Sequence, residues 1–181
     1  MFFSLSLILL AASPSLALWP WPTTISTGST TLSLSSSFDI DASGIDSPPQ
    51  DLVDAISRSK KNLAEDKLAR LVPDRGASDA FDGAPTLNAL TLTLTGETKS
   101  ISEVATGELG TRDESYNLTV PADGSAATLS AATTLGLFRG LTTFEQLWYT
   151  SDEVIYTLEA PYDIDDAPVY VRCLGLLRFP F

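Results

Sequence analysis

Apolar and polar positions are patterned most clearly between Ala126 and Tyr149, AATLSAATTLGLFRGLTTFEQLWY. Leu135, Phe138, Leu141, Phe144 and Trp148 recur three or four apart there, which puts one side of a helix against a core. The stretch predicts a core-packing helix behind a short strand, Ala126 to Leu129. A second helical pattern runs from Asp51 to Leu71. Leu52, Val53, Ile56, Leu63, Leu68 and Leu71 form its apolar side, charged residues from Arg58 to Arg70 fill the other, and Pro73 stops it. Alternation of period two marks the strands. Leu87 to Thr95 points Leu90, Leu92 and Leu94 one way and its threonines the other, and Glu114 to Val120 does the same with Tyr116, Leu118 and Val120. Pro121 and Asp123-Gly124 turn the second of these back into Ala126 to Leu129 as a hairpin. Weaker alternation gives a short strand or bent pair at Thr31 to Leu34 and Phe38 to Ile40, and one more strand at Val154 to Leu158. Ser43 to Pro49 and Asp74 to Pro85 read as loops, and the polar stretch up to Arg112 as a hairpin excursion.

The resulting order, β, α, β, β, β, α, β, predicts an α+β domain: a mixed or mainly antiparallel sheet of four to five strands with two helices on one face. The chain has 181 residues. That suits one domain with a real core and falls short of the ~250 residues of a (β/α)₈ barrel.

Composition changes this picture in three ways. Met1 to Ala17 has no ionisable side chain, Phe2 to Ala12 is apolar but too short to span a bilayer, and Ser15 and Ala17 are small at the −3 and −1 positions. These features predict a secretory signal cleaved after Ala17 and an extracellular, secreted chain with no membrane span. The net charge of −12 argues against nucleic acid and anionic membranes as partners; Lys60-Lys61 reads as part of a solvated helix face. A lone cysteine, Cys173, has no internal disulfide partner, and the absence of histidine excludes Ser-His-Asp and Cys-His catalysis and His-based metal sites from this chain. Asp74, Asp79 and Asp82 lack the spacing of a calcium loop. No cofactor and no metal site is expected.

The string G-x-x-R-G-L-x-T-F-x-Q-L, from Gly136 through Thr143, Phe144, Gln146 and Leu147, resembles a helix of the N-terminal domain of secreted, fungal-type β-N-acetylhexosaminidases, the family 20 glycoside hydrolases. The hairpin that precedes it, E-x-Y-x-L-x-V then G-x-x-x-x-L-x-A, fits the same family, as do W-P-x-P at Trp19 to Pro22 and Thr27-Gly28. Ile164, Asp166, Pro168 and Tyr170 fit the family's linker to its catalytic barrel. The resemblance implies a zincin-like, non-catalytic domain that supports the barrel of an enzyme releasing terminal N-acetylhexosamine from chitin oligosaccharides or glycoconjugates. It also implies two partners: the (β/α)₈ barrel if it is encoded downstream, and a second copy in a homodimer of the intact enzyme. The expected layout is a signal peptide at 1–17, the non-catalytic domain at 18–160, and a linker with a truncated or divergent start of the barrel at 161–181. Beyond Tyr170 the order of residues departs from the family's, and Arg172 is the single counterpart of the arginine that holds sugar hydroxyls in its first barrel strand.

Candidate chemistry is sparse. Family 20 enzymes use an adjacent Asp-Glu, the glutamate as general acid and the aspartate orienting the substrate's acetamido group. Asp113-Glu114 and Asp152-Glu153 supply the dipeptide but sit in the small domain, and both read, like Asp165-Asp166, as solvated charge rather than a catalytic pair. No catalytic residue is assigned, and the chain alone is expected to be inactive. Trp19, Trp21 and Trp148 are the aromatics that a free-standing carbohydrate-binding module would use, although Trp19 and Trp21 are expected to tuck the entry segment against the core. Asn117-Leu118-Thr119 is an N-glycosylation sequon whose asparagine faces solvent if Tyr116 and Leu118 face the core.

Overall fold

The computed structural model describes residues 18–108 and 111–167. Their elements are β1 (Thr24–Asp41), α1 (Gln50–Glu65), β2 (Thr86–Leu94), α2 (Ile101–Ala105), β3 (Tyr116–Val120), β4 (Ala127–Ala131), α3 (Thr134–Glu145), β5 (Tyr149–Ser151) and β6 (Val154–Asp166). The strands make one sheet in the order β1-β2-β4-β3-β6-β5, parallel between β1 and β2 and between β2 and β4, antiparallel elsewhere. The α+β class and the mixed sheet follow the sequence pattern. The count differs: six strands and three helices among the described residues, against four to five and two.

Because successive side chains of a strand point to opposite faces, the cross-strand registers read directly as rows. Ile25, Ile164, Leu118, Leu129 and Leu92 lie side by side across β1, β6, β3, β4 and β2, and the last four are essentially inaccessible. One residue along, Thr24, Asp165, Asn117, Ser130 and Thr93 form a wholly polar row on the other face. A one-residue slip would exchange the two rows, so register is fixed by burial. At about 1.5–3 kcal/mol for each fully buried leucine or isoleucine, the first row is a main source of stability.

On the leucine face lie α1 and α3. Thr133 caps α3 by accepting from the Gly136 N–H at 3.0 Å, which satisfies one of the free amides of its first turn. Phe144 stacks on Phe38 of β1 with ring centroids 5.7 Å apart, and Trp148 meets Phe144 edge-on at 5.6 Å. The Tyr116 hydroxyl and Thr143 Oγ1, 2.6 Å apart, satisfy each other inside the core.

Where the structure departs from the pattern, tertiary contacts explain it. Rather than a short strand or bent pair, β1 is one strand of 18 residues that pairs through its first half with β6 and through its second half with β2. Its register shifts between Leu34 and Asp39, across Ser35-Ser36-Ser37, which is why the alternation looked broken. The β1–β6 pairing also joins the two sides of the strand order, so the sheet curls. Strand β6 does not stop at Leu158; it runs on to Asp166, through residues 161–166 that read as connector. Pro161 lies at the register shift between Thr27 and Thr30, where a ladder donor is not needed, and a Cβ on Gly28 would meet Pro161 Cδ at 2.5 Å. Helix α1 ends at Glu65, short of Leu71, because Asp66 turns extended and the next residues are drawn to β5, where Leu68 C=O accepts from Thr150 N–H at 2.8 Å. The excursion before Arg112 contains α2, capped by Ser100.

Candidate functional site

Acidic groups come first, since two carboxylates facing each other across a cleft are what glycoside hydrolysis commonly needs. None of the three sequence pairs makes such a constellation. Asp113 accepts from the amide and hydroxyl of its neighbour Ser115, and Glu114 is tied to Arg139 at 2.7 Å on the rim of α3. Asp152 and Glu153 occupy the two left-handed positions (φ 46° and 68°) of the tight turn between β5 and β6 and are exposed. Asp165 lies on the polar sheet face, while Asp166 is buried and accepts from both the amide and the hydroxyl of Thr23, fastening the start of β1 to the end of β6.

A cavity of about 240 Å³ lies between the C-terminal ends of α1 and α3 and β5/β6, lined by Asn62, Leu68, Glu145, Gln146, Trp148 and neighbours. Two carboxylates, Asp66 and Glu145, belong to its lining, and that of Glu145 is already engaged. Glu145 accepts from Ser59 Oγ at 2.5 Å and from Asn62 Nδ2 at 2.9 Å, so it couples the two helices. Trp148 is 3% exposed, with an indole N–H that has no partner among the described residues. A ring so enclosed cannot stack on a sugar. Trp19 and Trp21 are the reverse of the expectation that they tuck inward: Leu18 and Pro22 on either side are buried, and the tryptophans are 84% and 58% exposed. The flanking apolar residues anchor the segment, helped by the Trp19 amide, which donates to Gln146 Oε1 at 2.7 Å.

Sequence reasoning missed a polar cluster. Arg70 and Asp79, 2.6 Å apart with side chains only 17% and 12% exposed, meet the Tyr156 hydroxyl, which donates to Asp79 at 2.6 Å, and Phe81 lies against the Tyr156 ring. Burial alone would lower the Arg70 guanidinium, but the hydrogen bond and charge of Asp79 outweigh it and hold it above its ordinary value. Burial pushes the Tyr156 hydroxyl far up, reinforced by Asp79. The only sequence signal was a loop with an unusual share of Asp and Gly. Glu159, nearby on β6, is raised by burial and partly relieved by Arg70 and Thr27. Burial likewise pushes Tyr116 and Tyr162 up to about 12.

Among the described residues no three His, Cys, Asp or Glu side chains are grouped to hold a metal ion, and no helix is long and apolar enough to cross a membrane. Asn117 is at the centre of the sheet, on β3. Arg172, Cys173 and the cleavage position after Ala17 lie outside the described residues.

The fold thus defines a sheet with a helical layer on one face, and its acidic pairs serve turns, ties and surface. The family model described as "beta-acetyl hexosaminidase like" matches residues 18–147, and the chain belongs to that family. Among solved structures it resembles the Flavobacterium johnsoniae chitobiase, with 24% identity over 86% of this chain and a TM-score of 0.56, a likeness of fold. A family 20 exo-β-N-acetylglucosaminidase from Vibrio harveyi aligns at 14% identity over 88% of the chain with a TM-score of 0.47. The chain spans 21% of the length of each. Comparison with curated protein sequences finds no match.

Proposed function

We propose that this chain is the non-catalytic N-terminal domain of a β-N-acetylhexosaminidase and that its role is to dock on and support a catalytic (β/α)₈ barrel. One observation carries this reading: the family match fills residues 18–147, while Glu114 and Glu145 are tied to Arg139 and to Ser59 and Asn62, and Asp152 and Glu153 sit exposed in a tight turn. The contact surface is the side around the cavity between α1 and α3, where Leu68 is exposed, with Leu71 exposed three residues on, and where Gln146 holds the exposed Trp19. Apolar exposure of this kind marks a surface meant for a partner. The enzyme so assembled acts on N-acetylhexosaminides, of which chitin oligosaccharides are one class, and the charge-free segment Met1–Ala17 supports export from the cell.

A carbohydrate-binding role for the free domain is the second reading, favoured by the exposure of Trp19 and Trp21. Purified chain is expected to leave a chromogenic N-acetyl-β-glucosaminide intact and to pass through a chitin column. Mixed with a family 20 catalytic domain lacking its own N-terminal domain, it is expected to co-elute. Turnover that vanished in Glu114→Gln or Glu153→Gln would sink the supporting-domain reading, and chitin retention lost on Trp19→Ala would transfer the case to the second.

A further inference from the structure

Of the two sheet faces, one is committed to the helices. The other carries two unbroken polar rows: Thr24, Asp165, Asn117, Ser130 and Thr93, then Ser26, Asp163, Thr119, Thr128 and Thr91. None of these ten side chains is fully buried. A sheet face without an apolar residue in either row lacks the apolar centre around which protein interfaces are built. In its middle sits the chain's single N-x-T sequon, Asn117-Leu118-Thr119. Leu118 is inaccessible under the helices, so strand geometry turns Asn117 and Thr119 together to the polar face. The Asn117 side chain is partly exposed and makes no hydrogen bond among the described residues, and the residues opposite it, Ser130 and Asp165, are short and hydrophilic.

We infer that Asn117 is an N-glycosylation site and that the polar sheet face is the domain's glycan-bearing, permanently solvated side. The donor is a lipid-linked oligosaccharide pyrophosphate. The Asn117 Nδ2 attacks the anomeric carbon, the bond from that carbon to the phosphate oxygen breaks as the N–C bond forms, the amide gives up one proton, and the lipid pyrophosphate leaves with the bonding electrons. Nothing in the fold must move to accommodate the product, since Nδ2 gives up no partner. A branched, hydrated sugar at the centre of this face closes it to other proteins and leaves the helical side as the contact surface. The inference goes beyond the supporting role, and its test reads sugar mass rather than activity.

The experiment expresses the full chain, with its own first residues, in a eukaryotic secretory host. Secreted protein is expected to carry one glycan that peptide-N-glycosidase removes, converting Asn117 to aspartate. Asn117→Gln and Thr119→Ala are expected to run at the deglycosylated mass, and Thr119→Ser to keep the sugar because serine also completes the sequon. Circular dichroism of the enzymatically deglycosylated protein, expected to match that of the glycosylated one, keeps loss of sugar separate from loss of fold. Secreted chain with Asn117 unmodified, glycan persisting in Asn117→Gln, or chain retained unmodified in the cell would each overturn the inference.

Discussion

At the scale of single residues, the cluster on the loop between α1 and β2 is the most consequential. Arg70, Asp79 and Tyr156 tie that loop to β6, and the pair is largely withdrawn from water, so removing one charge leaves the other poorly solvated. Asp79→Ala is therefore expected to cost about 3 kcal/mol in urea unfolding, and Asp79→Asn less, since a carbonyl oxygen still accepts from Tyr156. A change within about 0.5 kcal/mol for Asp79→Ala, the range of ordinary surface substitutions, would show that the cluster does not anchor the loop. Glu159 makes a prediction of opposite sign. Burial raises its pKa from 4.5, so the folded chain binds more protons than the unfolded one, and stability is lost as pH rises from about 4.5 through the raised value. Glu159→Gln removes that titration. Its melting temperature is expected to equal the parent's near pH 4 and to exceed it at pH 7. An equal difference at both values would mean that the substitution acts through packing alone.

Among the elements, α3 shows what a sequence displays and what it conceals. Its apolar spacing announced a core helix, and Gly136 and Gly140 stood out within a family-like string, but nothing in the string says why glycine is needed. The reason is the approach of the helix to two strands. A Cβ on Gly136 would come within 2.3 Å of the Ser115 carbonyl oxygen, and one on Gly140 within 2.2 Å of Leu129 Cδ1. Replacing glycine by alanine within a helix gains about 1 kcal/mol of propensity, whereas forcing an extra methyl into a filled core costs about 1–3 kcal/mol. The obstacle at Gly136 is backbone and cannot give; that at Gly140 is the end of a leucine side chain. Gly136→Ala is thus expected to destabilise by roughly 2 kcal/mol and Gly140→Ala by less, measured by denaturant midpoints. A stabilised Gly136→Ala would mean that helix and strand are not in close contact. The same division runs through the rest of the fold. Leu87 to Leu94 and Tyr116 to Val120 were legible because burial of one face imposes strict alternation, while the first residues of β1, its Ser35-Ser36-Ser37 middle and the far end of β6 were not, since the serines and Pro161 lie at register shifts that only the partner strands reveal. Helix α2 did leave a signal, the S-x-x-E of Ser100 and Glu103, in which the serine accepts from the Glu103 amide. The cavity left none: Asn62 and Glu145 meet from helices 83 positions apart, and such a pairing exists only once the sheet has brought them together.

For the molecule as a whole, two opposing properties set its behaviour in solution. Trp19 and Leu71 are 84% and 85% exposed and Leu68 and Trp21 more than half exposed, apolar surface that a second copy can cover. Against association stands a net charge of −12, which makes two copies repel. That repulsion is screened over about 30 Å at 0.01 M salt and about 3 Å at 1 M, whereas apolar contact is not weakened by salt. The isolated chain is therefore expected to be mainly monomeric at low ionic strength and to associate as salt is added, the reverse of an assembly held by ion pairs. Size-exclusion chromatography with light scattering, across a salt series, reads this directly. Leu68→Ser together with Leu71→Ser is expected to suppress the salt-driven association without altering the circular dichroism, because neither residue belongs to the buried core. Were the parent a monomer at every salt concentration, with no binding of a dye for apolar surface, the side around the cavity would be no docking surface, and the barrel would have to engage this domain elsewhere.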